Sequence, residues 1–169
     1  MSEHEQPPLA SSFMQADPKT VTAEMSLDEV TDFLLKNKLS NAPVVSHAQV
    51  ANQLIGFVSE RDCLAAMTQA DFYGSPAPEQ TARTIMRSSP ICVTPETDLF
   101  SVASLLINHG YRHLPVTDQG RLVGIISRRD VLQAVAQFGQ RYGQAQLLEK
   151  FRPDLSQLIN IRYLVPAKK

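Results

Sequence analysis

The sequence is short of several features that define whole classes of protein. It has no tryptophan and only two cysteines, Cys63 and Cys92, which lack the CxxC spacing of metal and redox sites. Both cysteines lie in apolar segments, so we expect buried thiols and neither a disulfide nor a metal site. The formal net charge is −1 and the basic residues are scattered, which argues against nucleic-acid binding.

Long apolar runs are also missing. Stretches such as residues 105–107 are far shorter than the ~20 residues that a membrane-spanning helix needs. The start of the chain is acidic and proline-rich, without the apolar region of a signal peptide. We therefore expect a cytoplasmic protein that contacts no membrane, with a disordered tail over residues 1–12.

The chain does contain an internal repeat. The segments LIGFVSERDCLAAMT (residues 54–68) and LVGIISRRDVLQAVA (residues 122–136) are identical at seven of fifteen positions. Upstream, residues 13–45 align with residues 85–117 at a constant offset of 72, and Met14 matches Met86. After Pro43 the offset falls to 68, which places four extra residues in a loop of the first copy. The sequence therefore predicts two copies of one folding unit.

Each copy predicts the order strand, helix, strand, strand, helix. In the first copy, Ser26 and Glu29 have the spacing of a capping box, and the helix that they open ends near Lys38. In the second copy, the matching helix begins at Asp98 and meets Gly110, which favours a left-handed helix end. The other predicted elements are strands at 20–22, 43–45, 54–58, 115–117 and 122–126, with a hairpin turn at 118–120.

One such unit of about 60 residues would be marginal alone, so we expect the two copies to pack together. The predicted boundaries are a first repeat, a linker, a second repeat and an extension, at residues 13–69, 70–84, 85–138 and 139–169. The extension is too apolar for a free tail, and we expect it to pack on the two repeats or on another subunit.

A serine followed three residues later by an aspartate ends the strand-to-helix turn of each copy. These pairs are Ser59 with Asp62 and Ser127 with Asp130. The serine can cap the helix, and the aspartate lies where the helix dipole favours negative charge. Helix capping alone explains the spacing, and ligand binding at the same residues is the second interpretation.

The duplicated pattern resembles a pair of CBS domains, the tandem regulatory arrangement also called a Bateman module. Each copy has a V-T strand, an apolar-Pro-Val strand and a G-[FI]-[VI]-S-x-R-D turn. The resemblance implies an α/β (α+β) fold of two β-α-β-β-α units about a pseudo-twofold axis, with two clefts. In many members these clefts bind AMP, ADP, ATP or S-adenosylmethionine, and the family regulates rather than catalyses.

The resemblance therefore implies a sensor that is not an enzyme and has no catalytic cofactor. Its regulatory ligand would be an adenine nucleotide, and its partners a second copy of the chain and an unidentified effector protein. The ligand contacts that the resemblance implies fall on twelve residues, Lys19, Asn41, Phe57, Ser59, Arg61, Asp62, Ile91, His113, Ile125, Ser127, Arg129 and Asp130.

Among these residues, the aspartates would accept the ribose hydroxyls, the serines would face the phosphates, and Phe57 and Ile125 would contact the nucleoside. Since such clefts are shared between repeats, Lys19 and Asn41 would lie near Asp130. By the same rule, two residues of the second copy would lie near Asp62; these are Ile91 and His113. For Arg61 and Arg129, a solvated helix face is the alternative to phosphate contact.

Local charge separates the two predicted sites. Residues 124–130 contain two arginines and one aspartate, formally +1, whereas residues 56–62 contain Glu60, Arg61 and Asp62, formally −1. From the sequence we therefore expect a phosphorylated ligand to prefer the cleft at Asp130.

Two other functions stay open. One is an interaction module with vestigial clefts, in which residues 139–169 dock on a partner enzyme or transporter. The other is an enzyme that uses the bound nucleotide as substrate, although the sequence shows no nucleophile with a recognisable base and no phosphate-binding glycine loop. His109 and His113 are four residues apart, but Gly110 between them argues against a metal pair.

Overall fold

The computed structural model describes residues 6–48, 51–73, 79–142 and 159–160. The helices are α1 (Ala10–Phe13), α2 (Leu27–Asn37), α3 (Glu60–Tyr73), α4 (Ala82–Ile85), α5 (Leu99–Asn108) and α6 (Arg128–Tyr142). The strands are β1 (Gln15–Ala16), β2 (Val21–Thr22), β3 (Asn41–Ser46), β4 (Gln53–Ser59), β5 (Arg87–Ser88), β6 (Ile91–Cys92), β7 (His113–Asp118), β8 (Arg121–Ser127) and β9 (Ile159–Asn160).

The chain folds into two compact units, each named here after its aspartate. Among the described residues, the Asp62 unit comprises those within 18–90 and 120–122, and the Asp130 unit comprises those within 1–17, 91–119 and 123–169. These units differ from the sequence repeats. The segment α1–β1 at the start of the first repeat folds with the second repeat, and the segment α4–β5 at the start of the second repeat folds with the first. Each unit is therefore built from both repeats. Both segments begin three residues before the predicted start of their repeat.

The sheet of the Asp62 unit runs in the order β2-β3-β4-β5. β2 is parallel to β3, whereas β3 with β4 and β4 with β5 are antiparallel. Helix α4 is attached to the start of the first repeat, where the Ala82 N–H donates to the Met25 carbonyl oxygen at 2.8 Å. The core consists of the buried residues Val21, Ala23, Val30, Leu34, Ala42, Val44, Val58, Cys63 and Ala82.

In the Asp130 unit, β8 pairs with β1 and with β7, and β6 pairs with β9. Helix α1 is held at the equivalent place, where the Ala10 N–H donates to the Thr97 carbonyl oxygen at 2.8 Å. The core consists of the buried residues Ala10, Val93, Leu99, Val102, Leu105, Leu106, Leu114, Val116, Ile126, Val131, Ala134 and Phe138.

The predicted helix ends are confirmed. Ser26 Oγ accepts the Glu29 N–H at 3.2 Å, and Glu29 Oε2 accepts the Ser26 N–H at 2.8 Å, which is the reciprocal capping box. Helix α2 ends at Lys38, which has a left-handed backbone with φ of +53°. Asp98 caps α5 through the N–H groups of its first turn, and Gly110 after the helix has φ of +67°.

The prediction of a disordered tail over residues 1–12 was wrong for its last part. Leu9 forms a β-bridge with Asp98, and residues from Ala10 onward form α1, in which Ala10 is fully buried. The segment was misjudged because four helical residues are too few to show a periodic pattern beside two prolines. Residues 1–5 lie outside the described part.

The predicted linker is shorter than expected. Helix α3 continues to Tyr73 and α4 begins at Ala82, so both ends of the 70–84 segment are helical. Of the predicted extension, α6 covers the residues up to Tyr142, and β9 pairs with β6 through Asn160 opposite Ile91. Residues 74–78 of the linker, and 143–158 and 161–169 of the extension, lie outside the described part.

Candidate ligand-binding sites

The Asp130 carboxylate is held at the start of α6 by the serine that ends β8. Asp130 Oδ2 accepts the Ser127 N–H at 2.7 Å and the Ser127 hydroxyl at 2.6 Å. The Asp130 N–H in turn donates to Ser127 Oγ at 3.2 Å. The capping spacing predicted from the sequence is confirmed, and a single carboxylate oxygen serves both serine donors.

The Asp62 carboxylate repeats this arrangement at the start of α3. Asp62 Oδ2 accepts the Ser59 N–H at 2.9 Å and the Ser59 hydroxyl at 2.6 Å. The Asp62 side chain is 15% exposed. Within the described residues, its second oxygen, Oδ1, has no hydrogen bond. The turn therefore presents a largely buried carboxylate oxygen with free acceptor capacity.

A residue from the other repeat contacts each carboxylate. Gln15 Nε2 donates to Asp130 Oδ1 at 3.2 Å and to Oδ2 at 3.1 Å. At the equivalent place, Arg87 Nε lies 3.6 Å from Asp62 Oδ1, an ion pair too long to be a hydrogen bond. The sequence interpretation missed both residues, although the constant offset of 72 makes Gln15 and Arg87 repeat equivalents.

Close packing of two strands places these residues. β5 runs antiparallel to β4 with Arg87 opposite Phe57 and Ser88 opposite Gly56. A side-chain Cβ at Gly56 would lie 2.5 Å from Met86 Sδ and 2.9 Å from the Arg87 carbonyl oxygen, so only glycine fits. The glycine allows β5 to approach and brings Arg87 to the carboxylate.

The Asp130 unit has the same construction. Gln15 lies opposite Ile125 in the pairing of β1 with β8. A Cβ at Gly124 would lie 2.5 Å from Met14 Sδ, so the methionine sulfur occupies the space over the glycine. Phe57 and Ile125, which were predicted to contact the nucleoside, are thus the strand neighbours of Arg87 and Gln15, and both are half-buried.

Two other predicted site residues lie in the Asp62 unit. Lys19 is exposed, and its Nζ donates to Asn37 Oδ1 at 2.6 Å. Asn41 begins β3 and lies opposite Ser59 in the strand register, so it neighbours the serine of its own repeat. The predicted proximity of Lys19 and Asn41 to Asp130 remains a prediction.

The two residues assigned to the Asp62 cleft lie in the Asp130 unit. Ile91 is half-buried in β6 and packs against the core of that unit. His113 begins β7, and its burial lowers the pKa of its imidazole, while the Asp130 carboxylate opposes that shift. The Arg128 N–H donates to the Arg112 carbonyl oxygen at 3.1 Å, which places the start of β7 beside the turn that carries Asp130. The proximity of His113 to Asp62 remains a prediction.

The arginines that follow the serines differ in what they contact. Arg61 and Arg129 are repeat equivalents, and both are exposed without an ion pair to any described residue. Arg128 instead donates from Nε to the Tyr111 carbonyl oxygen at 2.7 Å and from Nη2 to the Gly110 carbonyl oxygen at 2.8 Å. The guanidinium of Arg128 is therefore engaged by backbone at the end of α5.

A cleft of about 350 Å³ adjoins Asp62 inside its unit. Small-molecule sites usually start at about this size. The lining residues are Asp62, Ala65, Ala66, Glu79, Gln80, Thr84 and Ile85. Gln80 Oε1 is buried and has no hydrogen-bond partner among the described residues. The lining is therefore rich in acceptors, which suits a ligand that carries hydroxyl or amino donors.

The described residues hold neither a metal-binding cluster nor an ionised thiol. No cluster of three His, Cys, Asp or Glu side chains able to hold a metal occurs in the described ranges. Burial raises the pKa of the Cys92 thiol to about 12 and also raises that of Cys63, which leaves both as thiols at neutral pH. Across the described ranges, no helix has the length and apolar character to cross a membrane.

The family model of the CBS domain matches this chain twice, over residues 10–69 and 82–137. These matches include both strand-to-helix turns and both of the short segments that the units exchange. They cover well over half of the chain, which therefore belongs to the CBS domain family, as the resemblance implied.

Individual relatives agree with the family. The protein MJ1225 of Methanocaldococcus jannaschii is 30% identical over 120 residues, which are 71% of this chain and 40% of MJ1225. The CBS domain-containing protein CBSX1 of Arabidopsis thaliana is 29% identical over 147 residues, 72% of this chain and 60% of CBSX1. The chain thus spans less than two thirds of the length of either relative.

Among solved structures, the crystal structure of CBSX2 in complex with AMP superposes with a TM-score of 0.67 at 29% identity. The match covers 77% of this chain and 97% of the CBSX2 chain. The tandem CBS fold is therefore shared over nearly the whole of the crystallised CBSX2 chain.

Proposed function

We propose that the chain is a regulatory module that binds an adenosine-containing ligand, with AMP, ADP or ATP as the expected compounds, at Asp62 and Asp130. The observation that carries the proposal is the free acceptor capacity of the second carboxylate oxygen, best seen at Asp62. The serine hydrogen bonds occupy Oδ2 and fix the orientation of the carboxylate. At Asp62 the other oxygen accepts no hydrogen bond from a described residue, and at Asp130 it accepts one from Gln15 and has a second lone pair for a ligand.

A ribose suits such an oxygen. The two adjacent hydroxyls of a ribose are donors, and hydrogen bonds from hydroxyls to a carboxylate are charge-assisted and short. The half-buried Phe57 and Ile125 on the neighbouring strands offer apolar contact for the nucleoside. The N-terminal N–H groups of α3 and α6 favour negative charge, which suits phosphates beside the ribose.

The relatives support the same ligand class. CBSX2, which shares the fold at 29% identity, has been crystallised with AMP. This chain has the serine and the aspartate in both repeats, so the proposal extends to both sites. The regulated effector protein would be one that binds the ligand-bound form of this chain.

Regulation would follow from the way in which the units are built. Gln15 and Asp130 come from different repeats, and so do Arg87 and Asp62, so a ligand that contacts both members of a pair links the repeats. A ligand shifts a conformational equilibrium only by its difference in affinity for the two states. The short exchanged segments, α1–β1 and α4–β5, are the elements whose position such a ligand would bias.

A thermal-shift panel of AMP, ADP, ATP, NAD and S-adenosylmethionine tests the ligand class. A compound present at 100 times its dissociation constant adds about 2.7 kcal/mol to the free energy of unfolding. For a chain of this size, this corresponds to a rise in melting temperature of about 5–10 °C. We expect at least one adenosine compound to reach this shift. If none does, the sensor function is contradicted and the interaction-module alternative is favoured.

We also propose that the chain forms a homodimer through its helices. Large apolar side chains are exposed at equivalent positions of the two repeats. The exposed fractions are 67% for Leu35 and 77% for its equivalent Ile107, and 63% for Leu64 and 71% for its equivalent Leu132. Single exposed apolar residues are common on monomers, but the same positions exposed twice indicate a surface that is covered in an assembly.

The double variant Leu64→Glu/Leu132→Glu tests the dimer. We expect it to be monomeric in light scattering coupled to size-exclusion chromatography, because two charges would be buried at the interface. The control, Gln133→Glu/Gln137→Glu, adds two negative charges at exposed positions of α6 that lie about 100° or more around the helix from Leu132, and it is expected to remain dimeric. A wild-type monomer, or a dimeric Leu64→Glu/Leu132→Glu protein, would contradict this surface.

A further inference from the structure

The two candidate sites are nearly identical except at one contact position. Both have the serine, the aspartate with its bound Oδ2, and an exposed arginine after the serine, Arg61 or Arg129. The residue that reaches the carboxylate from the other repeat differs, since it is Gln15 at Asp130 and Arg87 at Asp62. A neutral amide thus faces one carboxylate, and a cation faces the other.

The charge difference read from the sequence becomes smaller when Arg87, which pairs with Asp62, is counted. It arose from one exchange, Arg128 in place of Glu60, because Arg61 and Arg129 match. Arg128 donates from Nε to the Tyr111 carbonyl oxygen and from Nη2 to the Gly110 carbonyl oxygen, which directs its guanidinium to the end of α5. Arg87, which lies outside the compared windows, adds a cation beside the Asp62 carboxylate.

We infer that the residue that faces the carboxylate from the other repeat, Gln15 or Arg87, decides whether each site prefers a phosphorylated ligand. Arg87 makes the Asp62 site selective for nucleotides with a phosphate over the corresponding nucleoside. Gln15 leaves the Asp130 site with little such preference. This inference rests on the proposed function, and it reverses the ranking of the sites that the sequence suggests.

The geometry allows Arg87 to move from the carboxylate to a phosphate. Its side chain is 67% exposed, and the Nε–Oδ1 separation of 3.6 Å makes a weak, solvent-screened pair. When ribose hydroxyls occupy Asp62, the guanidinium can turn to the phosphate, for which its planar fork of donors is well suited. Gln15 carries no charge, and its Nε2 group donates to both carboxylate oxygens of Asp130.

The test uses the full chain with a single site left intact. Asp130→Asn leaves the Asp62 site, and Asp62→Asn leaves the Asp130 site. In each background, calorimetry gives the dissociation constants of AMP and adenosine, and their ratio measures the preference for phosphate. Arg87→Gln is then added to the first background and Gln15→Arg to the second, which exchanges the two residue types between the sites.

We expect Arg87→Gln to lower the preference for AMP over adenosine about tenfold at the Asp62 site while the affinity for adenosine stays within about twofold. Gln15→Arg should raise the same preference by a similar factor at the Asp130 site. If adenosine and AMP bind but neither exchange changes their ratio, the inference is overturned and the proposed function stands. If neither compound binds the wild-type chain, both are overturned.

Discussion

Replacing both Asp62 and Asp130 with asparagine is expected to weaken AMP binding by about 100-fold relative to the wild-type chain. A hydrogen bond to a charged group contributes ~1.5–3 kcal/mol, and each tenfold change in affinity corresponds to about 1.4 kcal/mol. In an asparagine held by the same serine donors, the amide NH₂ would replace Oδ1. A donor would then face the ribose hydroxyls that the carboxylate oxygen would have accepted. Calorimetric titration measures the loss.

A second double variant separates this effect from net charge. Asp28→Asn/Asp118→Asn also removes two negative charges, from exposed residues that are not among the candidate site residues. We expect its affinity for AMP to stay within about twofold of wild type, since exposed charges at a distance are screened by salt. An unchanged affinity in Asp62→Asn/Asp130→Asn would show that the aspartates do not hold the ligand.

Replacing Gly56 with valine is expected to lower the free energy of unfolding by about 3 kcal/mol, the upper part of the usual range for overpacking. A Cβ at this position would already lie 2.9 Å from the Arg87 carbonyl oxygen, which belongs to backbone and cannot rotate away. β5 must then move off β4, and Arg87 moves with it. Urea denaturation measures the loss of stability, and AMP titration measures the accompanying loss of affinity.

Gly110→Ala is the control for this variant. Nothing lies within 4 Å of a Cβ at Gly110, and the cost arises only from its φ of +67°. We expect a loss of about 1 kcal/mol, as for an alanine in a left-handed conformation, and no change in AMP affinity. If Gly56→Val were no more destabilising than Gly110→Ala, the close approach of β5 to β4 would not be essential.

Most of the elements could be predicted because their causes are local. The capping boxes at Ser26, Ser59 and Ser127 depend on residues three apart, and such spacings are visible in any sequence. The repeat strengthened these predictions, because a helix end or strand found in one copy could be checked in the other. The left-handed backbone of Gly110 was predicted for the same reason.

The exchange of segments between the repeats could not be predicted in this way. Whether α1 and β1 pack on the first or the second repeat depends on long-range contacts, and both choices fit the same local pattern. The residues that depend on this exchange, Gln15 and Arg87, were therefore missed. A search for identical residues in the two repeats also misses this position, because one repeat has glutamine there and the other has arginine.

The direction in which a long side chain points is a second feature that the sequence does not predict. The sequence places Arg128 beside Arg129 at the start of a helix, and both count equally in a sum of charges. Only the structure shows that the Arg128 guanidinium turns to the carbonyl oxygens at the end of α5, whereas Arg129 remains exposed. A charge window therefore predicts the formal charge of a site and not the number of cations that can reach a ligand.

A crystal structure of the full chain grown with AMP tests the central claim most directly, since it shows where the ligand binds and in which orientation. We predict AMP at a strand-to-helix turn, with ribose hydroxyl oxygens about 2.5–3.0 Å from Oδ1 of Asp62 or Asp130. Crystals with both turns empty at saturating AMP, or with the ribose directed away from both aspartates, would contradict the account.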